Sequence, residues 1–128
     1  MSDYVLCDTS VIIDFMNARS NVLNDLRNRG MTLFVNSIIE MELLQGARDK
    51  KELLAIEKKL HSFRLLDMQQ VILDCATDYV RRYRLSHGLF LPDAIIGATA
   101  TYYQMPLFTY NQKYFKFLPE IQLANFNS

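Results

Sequence analysis

The sequence predicts an α/β domain, and three observations carry that prediction. Short apolar, β-branched or aromatic runs alternate with stretches whose apolar residues recur at helical spacing. The first run, Val5-Leu6-Cys7, closes on an acid, Asp8, with two hydroxyl residues, Thr9 and Ser10, directly behind it. In an open α/β sheet, ligands bind where strands end, because the loops there leave a crevice. The bulk numbers agree. Of 128 residues, 50% are hydrophobic and 22% charged, which places the chain among globular rather than disordered sequences. That length suits one domain with a real core, and no repeat, low-complexity tract or linker interrupts it. Residues 1–128 are therefore expected to form a single unit.

Charge and cysteine content narrow the function classes. The 14 basic and 14 acidic residues cancel, so a polyanionic partner would need a local patch rather than a global attraction. Cys7 and Cys75 both fall in apolar settings and are expected to be reduced core thiols. The amino terminus carries no basic, leader-like segment, and no apolar run approaches a membrane span. The expectation is a cytoplasmic protein with no membrane partner.

Taken in order, Tyr4 to Cys7 is expected to be a buried strand, with a helix from Ser10 onward. Ser20 or Asn21 caps a second helix carrying Val22, Leu23 and Leu26, and Gly30 ends it. Thr32 to Asn36 is strand-like. Ser37-Ile38-Ile39-Glu40 has the form of a capping box and opens a helix that stops at Gly46. Glu40 thus has a structural task. Glu42 has none, and a carboxylate among Ile38, Ile39, Met41, Leu43 and Leu44 is costly unless paired or metal-bound.

Arg48 to Phe63 reads as an amphipathic helix with Leu53, Leu54, Ile56, Leu60 and Phe63 as its apolar stripe. A short strand at Arg64 to Asp67 precedes a long helix from about Gln69 to Leu85, with Asp67 as an N-cap. The end of that helix carries Arg81, Arg82 and Arg84 beside aromatic residues. Such a cluster suits phosphate contacts, and it equally suits a helix C-terminus. His61 and His87 are expected to face solvent.

Pro92 and Asp93 mark the start of the next helix, whose small residues Ala94, Gly97, Ala98 and Thr101 form a face able to press closely on a sheet. On its own, Asp93 would be explained by the helix dipole. Met105 to Tyr110 is strand-like and ends at Asn111. A short helical turn over Gln112 to Phe117 and an edge strand at Ile121 to Leu123 complete the chain.

Asp8 and Asn111 thus follow strands, while Glu42 and Asp93 lie in early turns of helices. In a parallel α/β sheet all four can converge on one edge. Clustered carboxylates repel and favour a cation between them. An all-oxygen set suits Mg²⁺ or Mn²⁺, and no His or Cys stands at zinc-ligand spacing. Asp14 is expected to be a surface or salt-bridge acid.

The segments Val5-Leu6-Cys7-Asp8-Thr9-Ser10, Ser37 to Gly46, Leu91-Pro92-Asp93-Ala94-Ile95-Ile96-Gly97-Ala98-Thr99-Ala100 and Leu107 to Phe115 resemble, in this order, the motifs of PIN-domain ribonucleases, in particular VapC-type toxins of toxin–antitoxin pairs. The resemblance spans nearly the whole chain. It implies a Rossmann-like three-layer fold with a central, mainly parallel sheet flanked by helices. It also implies a Mg²⁺- or Mn²⁺-dependent endoribonuclease, a homodimer, and a small antitoxin that inserts a C-terminal segment into the acidic site. By the same likeness Asp8, Glu42 and Asp93 form the metal-binding core, with Thr9 or Ser10 supporting it. Asn111 stands where the family often has a fourth acid, and Tyr114 where it often has Asp or His, so Tyr114 is given no chemistry. Arg81, Arg82 and Arg84 are the candidate RNA contacts.

Three rival functions stay open. A receiver-like phosphoacceptor would need paired acids after the first strand, and Asp8 has Thr9 beside it. A PIN-fold RNA-processing nuclease without an antitoxin fits the same motifs, while the intact acids Asp8, Glu42 and Asp93 argue against a catalytically inactive PIN-fold binding module, which Asn111 keeps open.

Overall fold

A computed structural model describes residues 3–126. Five short strands form one parallel sheet in the order β3-β2-β1-β4-β5. The strands are β1 (Tyr4–Cys7), β2 (Thr32–Val35), β3 (Arg64–Leu65), β4 (Leu107–Phe108) and β5 (Leu123–Ala124). Six helices fill the connections: α1 (Thr9–Met16), α2 (Val22–Asn28), α3 (Ser37–Gln45), α4 (Lys50–Leu60), α5 (Gln70–His87) and α6 (Leu91–Tyr102). The architecture is the predicted one. No helix among the described residues is long and apolar enough to cross a membrane.

The sheet order decides where a site can form. From β1 the chain builds outward through β2 to β3, then returns to place β4 on the other side of β1. The direction of winding therefore reverses between β1 and β4, and the crevice of a parallel sheet opens at such a switch point. Leu6 pairs with Leu107 and Cys7 with Phe108, so the residues that follow the two strands, Asp8 and Thr109, emerge side by side. The backbone N–H of Asp8 extends this ladder by donating to the Phe108 carbonyl at 2.9 Å.

β1 is the axis of the core. Val5, Leu6 and Cys7 are fully buried, as expected for a central parallel strand covered on both faces. Burial pushes the Cys7 thiol well above its ordinary range, consistent with an inert core residue. α6 is buried over seven consecutive residues, Ala94 to Ala100. Its small face differs from the expectation in one respect. A side chain at Gly97 would meet Leu118 and Phe115, so glycine there admits the loop after the 3₁₀ turn (Gln112–Tyr114) rather than the sheet.

Four local expectations are corrected. The cap of α3 is Asn36, not Ser37: Asn36 Oδ1 accepts from the Ile39 N–H at 2.9 Å, and Ser37 is already helical. Asn36 is fully buried, and its Nδ2 donates to Thr99 Oγ1 at 2.9 Å, so the cap also ties α3 to the middle of α6. Asp67 does not cap α5, whose N-cap is Gln69. The backbone carbonyl of Asp67 instead accepts from the Tyr103 hydroxyl at 2.6 Å. On α4, Leu54 is exposed rather than part of a buried stripe, and only Leu60 of that helix is fully buried. The strand after Met105 is shorter than expected, so Asn111 lies three residues beyond β4.

Asn36→Ala is expected to destabilise the protein by about 2–4 kcal/mol, because it removes a cap and leaves the buried Ile39 N–H without its acceptor and Thr99 Oγ1 without the bond it accepts. Ser37→Ala is expected to change stability by no more than about 0.5 kcal/mol. Urea unfolding of the two variants measures the contrast; a larger loss for Ser37→Ala would restore the capping box.

Candidate active site

Asp8 occupies the N-cap of α1, yet its side chain caps nothing. It turns toward β4. Asp8 Oδ2 accepts from Thr109 Oγ1 at 2.7 Å and from Ser10 Oγ at 3.0 Å. Ser10 Oγ in turn accepts from the Tyr110 N–H, and Thr109 Oγ1 from the Asn111 N–H. A carboxylate only 5% exposed is thus fixed by two hydroxyls, each itself oriented by the backbone that leaves β4.

Glu42 projects from the second turn of α3, and its Oε1 accepts from Thr9 Oγ1 at 2.8 Å. Thr9 and Ser10 therefore divide the work: one holds Glu42, the other Asp8. Asp93 lies half-buried in the first turn of α6. Burial, followed by the charges of Asp8 and Glu42, pushes its carboxyl up to about 7. Asp8 and Glu42, each carried by its own helix, thus both act electrostatically on Asp93. The three acids do not close into a ready-made cage: among the described residues, no three acidic, histidine or cysteine side chains stand at the mutual spacing of an ion site. The helix N-termini at α1 and α6 offset part of the accumulated negative charge.

The remaining candidates separate from this cluster. Asn111 is exposed, and it is its backbone N–H that joins the network through Thr109. Arg82 pairs with Asp78 at 3.4 Å on its own helix. Arg84 donates to the carbonyls of Gly88 and Leu89, and its guanidinium stands over Phe90, within the short turn leading to Asp93. Arg81 is exposed and makes no ion pair among the described residues. Asp14 pairs loosely with Arg19 at 3.9 Å. His61 is exposed, and His87 stacks on Phe117 with ring centroids 4.2 Å apart. Neither histidine hydrogen-bonds to the acids.

Thr109 is the participant that reading the sequence misses. The available signal is its place, one residue after a strand, which is the place Asp8 holds after β1. Its value appears only once β4 is known to lie beside β1.

The raised Asp93 carboxyl has a stability consequence. An unfolded aspartate titrates near its ordinary value of about 3.9. Below that pH Asp93 is neutral in both states and imposes no penalty. Between that pH and about 7 the unfolded chain ionises while the folded protein keeps Asp93 protonated beside two acids, so stability falls as pH rises across this window and levels off once the folded group also ionises. In EDTA, Asp93→Asn is therefore expected to gain on the wild type between pH 4 and pH 7 and to level off above. The gain should be on the order of 1–2 kcal/mol after allowance for solvent screening. Chemical unfolding at several pH values measures this, and a pH-independent difference would contradict it.

Comparison with known proteins adds ancestry to this geometry. The PIN domain family profile matches residues 5–119. Ribonuclease VapC19 of Mycobacterium tuberculosis is 31% identical over 121 residues, covering 91% of this chain and 96% of that protein. A toxin–antitoxin complex from Klebsiella pneumoniae contains a chain 28% identical, with a TM-score of 0.72 and coverage of 91% and 94% of the two chains. A chain of VapBC-1 from nontypeable Haemophilus influenzae shares the fold, with a TM-score of 0.80 at 20% identity over 95% and 97% of the two chains. With the profile running from β1 through the turn after β4, and with acids at the switch point of a parallel sheet, the chain belongs to the PIN domain family.

Proposed function

We propose that this protein is a VapC-type endoribonuclease toxin that hydrolyses RNA phosphodiesters at a Mg²⁺ or Mn²⁺ ion held by Asp8, Glu42 and Asp93. The observation that carries this reading is that Asp8 and Glu42 stand near enough to Asp93 at the switch point for their charges, after burial, to push its carboxyl up. Drawn together, the three carboxylates would make an all-oxygen donor set, which fits a hard divalent cation. When bound, such an ion stabilises charge on a phosphate oxygen and acidifies a water.

The chain's own residues do the rest. Thr109 and Ser10 hold Asp8 in one orientation, and Thr9 holds Glu42. Asp93 has a carboxyl pushed up to about 7, so a cation or a proton settles there readily near neutral pH. Asn111, exposed beside this network, is the candidate to orient water or substrate rather than a buried ligand. Arg81, with no intramolecular ion pair among the described residues, is the strongest candidate of its cluster for a phosphate contact. Arg82 and Arg84 already serve the end of α5.

The name of the 31%-identical relative supports the ribonuclease activity, and the toxin–antitoxin complexes among the structural neighbours support a small antitoxin partner. A cation from that antitoxin entering the acid cluster would be electrostatically matched. A homodimer working in the cytoplasm completes the reading. A processing nuclease of the same fold is separated from it by the presence of a neighbouring antitoxin gene. An inactive binding module is separated from it by the following experiment.

RNA cleavage with Mg²⁺ or Mn²⁺ is expected to fall at least about 100-fold in Asp8→Asn, Glu42→Gln and Asp93→Asn, and to vanish in EDTA. Gel-resolved cleavage of a mixed RNA pool measures it. Equal rates in wild type and all three variants would remove the metal assignment.

A further inference from the structure

A second concave site lies on the other side of Thr109. It is a cleft of about 630 Å³ between the segment leaving β4 and the strand β5. Its wall is made by Tyr110, Asn111, Gln112, Lys113, Asn125 and Phe126. The volume is in the range of small-ligand sites.

Each of these groups suits a nucleotide. Tyr110 is 44% exposed, and its ring stands edge-on to the buried Phe108 at 5.6 Å, which holds it in place. Gln112 Nε2 donates to Asn125 Oδ1 at 2.8 Å. That bond orients two amides and leaves the Gln112 carbonyl and the Asn125 amino group free to pair with the edge of a base. The Asn111 amide is exposed at the mouth. Lys113 stands over Tyr114 at 5.1 Å and makes no ion pair among the described residues, so its charge is available to a phosphate. The cleft is also joined to the acids. Thr109 donates to Asp8 and accepts from Asn111, so one residue separates the two sites.

We propose that this cleft receives one unpaired nucleotide of an RNA strand whose neighbouring phosphate lies at Asp8, Glu42 and Asp93. The base stacks on Tyr110, the amides of Gln112 and Asn125 read its edge, and Lys113 meets the flanking phosphate. The inference rests on the proposed RNA cleavage and adds to it a position at which sequence is chosen. An aromatic face with amide neighbours recognises a base only when that base is unstacked, so the nucleotide taken here is an unpaired one, from a single strand, loop or bulge.

The test uses short single-stranded RNA oligonucleotides with 2-aminopurine at successive positions, titrated with the full chain in EDTA so that binding is read without cleavage. At one position the wild type is expected to quench the fluorophore. Tyr110→Phe keeps the quenching. Tyr110→Ala abolishes it and weakens binding about 5- to 150-fold, the range for one lost base–aromatic stack. Gln112→Ala keeps the quenching and flattens the preference among bases at that position. Tyr110 is exposed enough that its loss leaves the core intact, which circular dichroism verifies. Quenching and affinity unchanged in Tyr110→Ala, or no quenching by the wild type, would overturn the proposal, and a cleft that serves a peptide partner gives that result. Tyr110-dependent quenching without cleavage in Mg²⁺ or Mn²⁺ would keep the cleft and remove the nuclease reading. Cleavage without such quenching would do the reverse.

Discussion

The structure depends on one buried charge being held in place. Asp8 is 5% exposed, at the end of the central strand of the sheet. A carboxylate so placed is tolerated only with donors around it. Both of its donors come from defined backbone positions: Ser10 in the first turn of α1 and Thr109 at the end of β4. The second exists only because β4 is laid beside β1 in register. The fold thus supplies the condition for the charge, and the charge sits where the fold opens.

Glu42 and Asp93 are held on different terms. Glu42 keeps one hydroxyl partner and a half-exposed setting. Asp93 has burial and two neighbouring charges against it, and its carboxyl rises accordingly. An arrangement that lowers stability in the folded chain, at a crevice, is what a site prepared for a cation or a proton looks like. The rigid part of the frame lies behind it. Asn36 links the cap of α3 to Thr99 in α6, and so relates the two helices that carry Glu42 and Asp93.

Much of this is visible in the residues alone, and the misses have physical causes. β1 and the acid behind it stand out because an apolar run closes abruptly on a charge. Glu42 stands out because its neighbours are apolar and Glu40 had another explanation. The sequence points to a cap of α3 one residue late because Asn36 and Ser37 are both good caps; burial and the reach of Asn36 to Thr99 decide between them, and neither is a local property. Asp67 resembles an N-cap by type, but the helix begins too far along for it to serve. Leu54 follows the helical period, yet α4 rests on the domain by a narrow line ending in Leu60, so the period overstates its buried face. Thr109 depends on strand order, which spacing along the chain does not encode.

The neutral residue at Asn111 takes on a different meaning once placed. Had its side chain faced Asp8, an amide there would simply be a weaker ligand. It is exposed instead, while its backbone N–H holds Thr109, and Thr109 holds Asp8. A fourth carboxylate at this exposed corner would add negative charge at the mouth of a cleft suited to a polyanion. With a chain whose formal net charge is +0, there is no global field to offset that repulsion. An amide removes the repulsion and keeps the hydrogen-bonding capacity. Lys113 then lies two residues from Asn111 with its charge unopposed by any ion pair among the described residues. The polarity of the edge therefore changes across Thr109, from acids to amides, an aromatic face and a lysine.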